Sequence, residues 1–268
     1  MNLEGAYYDP TFIGDGDRAE LVSWLETLHP LWEERHPSRR RARDGQQERR
    51  LLRPVYWLGG WQFACLNYYN APRYVEDRVV AAEPFPPVLA RLAARMEAQA
   101  RRSSEAPPEG WCLNTCLINF YGEVFRRGRW VDAARVGGHR DHEPGPVGSL
   151  SLGARARFQF TTAPKGPVDR DVIAEQWLTD GSMLLFSTPR LKKELYHRVP
   201  CVSAAAGWSF SVPLPDIRVR RVNLTFRYVP PTHIVPFHAL GSQARDDIQH
   251  YVAKLAEHAP FWSEALSR

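Results

Sequence analysis

Lysine is nearly missing from this sequence: four residues in 268, against 31 arginines. Almost all of the positive charge therefore sits on planar guanidinium groups, which stay ionised and grip oxyanions bidentately. Cysteine is also scarce, and four in a chain of this length are too few for a disulfide scaffold. No stretch approaches the roughly 20 uninterrupted apolar residues of a helical membrane span, and no basic-then-apolar leader precedes the polar opening Met1 to Asp9. These absences lead us to expect a reduced, cytoplasmic protein that does not cross a membrane. Aromatic residues are abundant, at 12% with nine Trp, which argues against a disordered chain. The length suits one large domain or two small ones.

The net charge of +5 is unevenly spread. The segment from Arg35 to Arg53 holds eight arginines against Asp44 and Glu48, and Phe186 to Arg227 is a second basic island, so the remainder is net acidic. Such islands fit a surface that neutralises phosphates. The first fits a solvated charge run equally well, and basicity alone does not choose.

Along the chain, Asp17 and Glu20 open a helix whose Leu21, Trp24, Leu25 and Leu28 share a face, closed by Pro30. Tyr56 to Tyr74 is dense in aromatics but broken by Gly59-Gly60 and Pro72, which predicts short strands or a hairpin. Pro86-Pro87 starts a second helix with Leu89, Leu92 and Met96 on one face. From Trp111 onward, short apolar runs alternate with Gly, Pro and polar turns, the spacing of an all-β sandwich or barrel. These runs are Cys112 to Tyr121, Val147 to Leu152, Arg157 to Thr161, Val172 to Leu178, Ser182 to Ser187, Trp208 to Val212 and Val222 to Val229. A last helix carries Ile248, Val252 and Leu255. The expected division is 1–110 for the N-terminal helices, Arg-rich loop and aromatic flap, 111–229 for the β core and 230–268 for a helical appendage, all within one structural domain.

His139-Arg140-Asp141 lies beside a predicted strand, where residues i and i+2 point to the same side and can address one ion. With a distant histidine they would form the two-histidine, one-carboxylate triad of non-haem Fe(II) oxygenases. His142 could also ligate a metal, from the opposite face. Cys112 and Cys116 read as buried apolar thiols on a strand rather than as zinc ligands.

Further signals appear in order: Leu117-Ile118-Asn119-Phe120-Tyr121, His139-Arg140-Asp141-His142-Glu143, Gly148 to Gly153, Phe158-Gln159-Phe160, Tyr196-His197 and Arg221-x-Asn223-x-Thr225-x-Arg227. Over Trp111 to Tyr228 the sequence resembles the AlkB family of Fe(II)- and 2-oxoglutarate-dependent dioxygenases. The resemblance implies a mainly β fold with flanking helices (α+β), built on a double-stranded β-helix (jelly-roll) barrel. It implies Fe(II) held by His139, Asp141 and His197, with 2-oxoglutarate as co-substrate and O2 as oxidant. Arg221 would take the distal carboxylate of 2-oxoglutarate, Asn119 and Tyr121 would hydrogen-bond it, Arg227 would lie near its proximal carboxylate and the metal-bound Asp, and Asn223 matches the motif asparagine. Glu143 matches an acidic position that contacts a lesion base. The sequence departs from the family between Asn119 and His139, where extra residues include Arg126-Arg127-Gly128-Arg129-Trp130, expected to form a longer hairpin at the mouth of the site.

The resemblance further implies oxidative dealkylation of N-alkylated bases in DNA or RNA, and we expect a monomer. Tyr56, Trp57, Trp61 and Phe63 stand where the family keeps its nucleotide-recognition flap, and beside the Arg-rich run they are expected to form a base-stacking lid, with Arg39 to Arg43 and Arg49 to Arg53 following phosphates. Ordinary core packing is the competing account of each aromatic. Two other functions remain open: the same oxidation of a protein side chain or small metabolite, and a silent nucleic-acid-binding module.

Overall fold

A computed structural model describes residues 3–35, 49–63, 66, 78–102, 107–132, 135–163, 171–200 and 207–268. Most of the Arg-rich run, including Arg39 to Arg43, lies outside the described residues, as do Tyr68, Tyr69 and Tyr74. The strands are β1 Ala6–Asp9, β2 Glu34–Arg35, β3 Arg49–Arg50, β4 Val55–Leu58, β5 Gly60–Gln62, β6 Val79–Ala81, β7 Thr115–Arg126, β8 Arg129–Asp132, β9 Val136–His139, β10 Val147–Gly153, β11 Ala156–Thr161, β12 Val172–Leu178, β13 Ser182–Phe186, β14 Tyr196–Val199 and β15 Ile217–Arg227. The helices are α1 Asp15–Leu25, α2 Pro87–Ala100, α3 Ser242–Ala256 and α4 Pro260–Ser267.

Two sheets form a jelly roll. The larger runs β1-β13-β10-β15-β7-β4, with β8 paired to the far end of β7, and the smaller runs β12-β11-β14-β9. Strand alternation sorts the larger sheet's side chains into two sets. Cys116, Ile118, Phe120, Leu150, Leu152, Met183, Leu185, Val222, Leu224 and Phe226 face a core shared with the helices. Tyr121, Val147, Leu184 and Phe186 turn to the other side, to a second core with Phe158, Phe160, Leu178 and Leu195. The helices cover the first core with the faces their spacing predicts: Leu21 and Leu25 from α1, Leu89, Leu92 and Met96 from α2, and Ile248, Val252 and Leu255 from α3. Gly148 permits α2 to approach, because a Cβ there would stand 2.9 Å from the Met96 sulfur.

The aromatic segment differs from the expected base-stacking lid. Tyr56, Trp57, Trp61 and Phe63 are all buried. Trp61 packs edge-on against Phe63, Tyr251 and Trp262, so the C-terminal helices close over the flap and convert it to core. The physical reason is a buried acceptor, Glu33, with no exposed surface: its Oε1 takes the indole N–H of both Trp57 and Trp61, each at 2.8 Å, and its Oε2 pairs with Arg35. The Tyr56 hydroxyl donates to Glu83. With every polar edge satisfied inside, these rings have no reason to face solvent. The strand predicted over Trp208 to Val212 reduces to a single bridge, Phe210 with Val219.

Glu33→Leu should therefore destabilise the protein by about 3 kcal/mol, because two buried indole N–H groups lose their acceptor together. Chemical denaturation at equal m-value measures this, and a loss below about 1 kcal/mol would show that Glu33 does not organise the segment.

Candidate active site

The period-two alternation of β15 places Arg221, Asn223, Thr225 and Arg227 on one face, opposite the apolar Val222, Leu224 and Phe226. The register sets these polar residues beside matching ones on the neighbouring strands: Arg221 pairs with Tyr121, and Asn223 lies between Asn119 and Ser151. Together with Arg53, His139, Asp141, Ser149, Phe158, Phe186 and His197 they line one cleft of about 510 Å³, its open mouth included.

At one end of the cleft three side chains from three segments converge. His139 ends β9, His197 lies opposite it on β14, and Asp141 follows β9. One donor atom from each lies within 4.8 Å of the others. The His139 Nδ1–H donates to Gly137 O at 2.9 Å, which leaves Nε2 as the free lone pair. Arg227 places Nε and Nη2 on Asp141 Oδ1 at 3.1 and 3.0 Å, leaving Oδ2 without a hydrogen bond and 3.4 Å from His197 Nε2. Burial holds the His197 imidazole down to about 3, helped by His139 and Arg227 and opposed by Asp141. For Asp141, burial acts upward but is outweighed by Arg227 and the two histidines, so its carboxyl stays well below the usual range. Two neutral imidazoles and one carboxylate, with a buried carboxylate oxygen lacking a hydrogen bond, are the donor set of a divalent transition metal with open positions.

At the other end lies Arg221, with no exposed surface. Its Nη2 donates to Ser151 Oγ at 3.0 Å and its guanidinium lies 4.9 Å from the Tyr121 ring centre, while among the described residues Nε and Nη1 have no hydrogen bond. Burial lowers its pKa. A buried guanidinium with two unmet donors is costly unless an anion completes it, so the cleft is prepared for a carboxylate at this end. Asn223 is anchored by Ser149 Oγ and Leu150 O, both at 2.8 Å.

Two cations fasten the metal-facing loop to the segment that carries His197. A π-helical turn, Arg190–Glu194, precedes β14. From it the buried Lys192 donates Nζ to the carbonyls of Glu143 and Gly145. In the reverse direction Arg140 donates to Glu194 O at 2.8 Å and stacks 4.0 Å over the Tyr196 ring. The backbone on either side of Asp141 is thus tied to the backbone leading into His197.

Of the site residues predicted from sequence, His139, Asp141, His197, Asn119, Tyr121, Arg221, Asn223 and Arg227 all line this cleft. Glu143 stands at its edge, 3.6 Å from Arg227 Nε, with Oε2 unpaired. Tyr56, Trp61 and Phe63 do not line it. Arg53, grouped from sequence with the phosphate-following arginines, instead donates to Asn119 Oδ1 at 2.6 Å inside the cleft. Arg35 and Arg50 are paired with Glu33 and Asp216. Sequence reasoning also missed Ser149, Ser151 and Lys192. Alternation within the Gly148 to Gly153 run could have flagged the serines, whereas Lys192 leaves no pattern.

The chain matches the sequence profile of the 2OG-Fe(II) oxygenase superfamily over residues 5–227, and it belongs to that superfamily. No curated protein sequence matches it significantly. Among solved structures, OsALKBH1 aligns with 17% identity and a TM-score of 0.51, over 85% of this chain and all of the other. A Pseudomonas putida prolyl-4-hydroxylase aligns at 12% identity and TM-score 0.40, covering 85% of this chain and 94% of its own. The non-heme alpha ketoglutarate dependent epimerase SnoN from nogalamycin biosynthesis aligns at 13% and 0.41, covering 86% and 83%. The first of these supports the jelly-roll fold. The protein is thus a 2-oxoglutarate-dependent non-haem iron dioxygenase, using Fe(II), 2-oxoglutarate and O2.

Two outcomes test the geometry. Lys192→Met should weaken binding of Co(II), a spectroscopic substitute for iron, by about ten-fold, while Lys192→Arg restores part of it; titration of the metal-free protein measures both. His197 has a folded value of about 3, below the ordinary 6.5, so the metal-free fold loses stability as pH falls from about 6.5 toward 3. Denaturation midpoints between pH 7 and 4 should decline less steeply in His197→Gln.

Proposed function

We propose that this dioxygenase is AlkB-like and oxidatively dealkylates N-alkylated nucleobases in DNA or RNA, releasing an aldehyde, succinate and CO2. The observation that carries the proposal is the polar face of β15, where Arg221, Asn223, Thr225 and Arg227 stand in one row against Asn119 and Tyr121 of β7, in the pattern that resembles the AlkB family. In this reading His139, Asp141 and His197 hold Fe(II). Arg221, with its two unmet donors, takes the distal carboxylate of 2-oxoglutarate, assisted by Tyr121, and Asn119 hydrogen-bonds the same molecule.

The bound iron, 2-oxoglutarate and O2 supply an oxidant that adds oxygen to a nearby C–H bond. The chain's own residues bind, orient and exclude water. Arg227 turns the Asp141 carboxylate so that one oxygen stays free. Phe158 and Phe186 pack on the His197 ring, at centroid distances of 5.6 and 5.2 Å, and keep that side dry. Glu143, at the cleft edge, is placed to meet a polar edge of the base. An alkyl carbon hydroxylated next to a base nitrogen loses its aldehyde without further help from the protein.

One observation favours a second reading. With Tyr56, Trp61 and Phe63 inside the core and Arg35 and Arg50 already paired, the expected stacking lid is missing from the described part of the N-terminal region. That would suit a protein side chain or small metabolite as the substrate of the same oxidation.

Mass spectrometry of methylated oligonucleotides incubated with protein, Fe(II), 2-oxoglutarate and ascorbate separates the two. Loss of about 14 mass units per methyl group, abolished by His139→Ala, is expected; succinate formation with no oligonucleotide demethylated would sink the nucleobase reading. Arg221→Met should raise the KM for 2-oxoglutarate by about 100-fold. The same change should raise the melting temperature of the cofactor-free protein, since it removes a buried charge with unmet donors. A fall in that temperature would show that Arg221 serves the fold first.

A further inference from the structure

The proposed chemistry leaves the β7–β8 hairpin unused. Its two strands pair from Glu123 with Asp132 to Arg126 with Arg129, around a two-residue turn, Arg127-Gly128. Both turn residues have positive φ, 50° and 79°. A right-twisted hairpin wants such a turn, and Asn-Gly is its favoured sequence. Here the first position is an arginine, the one non-glycine residue with positive φ among those described. A strained residue chosen over a relaxed one is more often retained for function than for folding.

The hairpin's side chains fit a polyanion that also carries flat rings. Phe125 and Trp130 are cross-strand partners with ring centroids 5.3 Å apart, and Phe125 is 49% exposed. The Arg218 guanidinium stacks 4.1 Å over Trp130. Arg126, Arg127, Arg129 and Arg218 are all exposed, and among the described residues none of them pairs with a carboxylate; Arg218 shares the face of Phe125 and Trp130, Arg127 stands at the tip, and Arg126 and Arg129 pair on the opposite face. One nearby acid that could cancel them, Glu123, is taken by Arg220 at 2.5 Å. Burial does not account for the aromatic pair, and ion pairing does not account for the arginines.

The patch is also aligned with the site. By strand alternation Leu117, Asn119, Tyr121, Glu123 and Phe125 share one face of β7, and the first three line the cleft. Phe125 follows Tyr121 by four residues, about 13 Å along the strand. After the hairpin the chain enters β9 and reaches His139.

We propose that the β7–β8 hairpin is the docking surface for single-stranded nucleic acid: bases stack on Phe125 and Trp130 beside Arg218, and the phosphate backbone passes around the hairpin tip, where Arg127 and, on the reverse face, Arg126 and Arg129 neutralise it. This rests on the nucleobase reading above and moves the binding surface from the N-terminal aromatics to the extra hairpin. Stacking and phosphate neutralisation are the two components of sequence-independent single-strand binding, and the patch offers both.

The test is fluorescence anisotropy of a dye-labelled, unmethylated oligo-dT of about twelve nucleotides, a length within the usual single-strand site sizes, titrated with the full-length protein over a range of salt. Arg126→Ser/Arg127→Ser/Arg129→Ser should reduce the log–log salt slope by about 2, at roughly 0.7 for each phosphate no longer neutralised. Phe125→Ala/Trp130→Ala should weaken binding about ten-fold with the slope unchanged. All five positions lie in one peripheral hairpin, and unchanged thermal melting confirms that the variants fold. Wild-type affinity and slope in both variants would overturn the proposal, as would equal competition by poly-glutamate, which offers charge without rings. If the oligonucleotide binds through the hairpin but methylated strands are never demethylated, the dealkylation reading fails and the docking surface stands. If demethylation proceeds and the variants bind as wild type, the reverse holds.

Discussion

Burying like charges between two sheets is the constraint around which this molecule is organised. Arg221 and Arg227 both point inward from β15, into a region of low dielectric where an unpaired guanidinium is expensive. Arg227 finds Asp141 within the chain, and that ion pair does more than offset its own desolvation. It fixes the carboxylate, joins the end of the central strand to the loop beyond β9, and keeps both histidines beside an anion while they remain neutral. Arg221 is left with unmet donors. The fold thus tolerates an unresolved cost at one end of the cleft and resolves it at the other, which is how a site meant for a dianion should differ from a structural core.

The polar face of β15 was legible in the sequence because strand geometry is strict. Residues at i, i+2, i+4 and i+6 of β15 must share a face, so Arg221, Asn223, Thr225 and Arg227 form one group on spacing alone. The helices were legible for the same reason, at a period of 3.6, although α1 ends at Leu25 and the stripe predicted to reach Leu28 finishes in a turn. His139 and His197 are cross-strand neighbours on β9 and β14, a pairing that sequence order alone does not reveal; the family pattern supplied what periodicity could not.

What was not legible depended on partners far away in the chain. The aromatic run from Tyr56 to Phe63 has the composition of a stacking lid and the surroundings of a core, and the difference is made by Glu33 and by Trp262 and Tyr251 of the C-terminal helices. Arg53 was grouped with its basic neighbours, yet its strand-side position brings it to Asn119. Lys192 was invisible because a lysine donating to two carbonyls leaves no local signature. In each case the missing information is a single long-range polar interaction.

The order in which the strands pair has a consequence for how the protein is made. In the larger sheet, β1 closes against β13 and β10 lies between β13 and β15, so the inner strands wait for segments synthesised much later. On the ribosome, Asp141 emerges long before Arg227, the residue that compensates it, and before His197. Until β15 arrives, both imidazoles are present but Asp141 lacks the guanidinium that holds its carboxylate. Loop-closure entropy must be met before these interactions exist, which marks a slow, high-contact-order fold. The three converging side chains are thus all made before β15, and Arg227, the cation that orients the carboxylate, is the last part of the site to be synthesised.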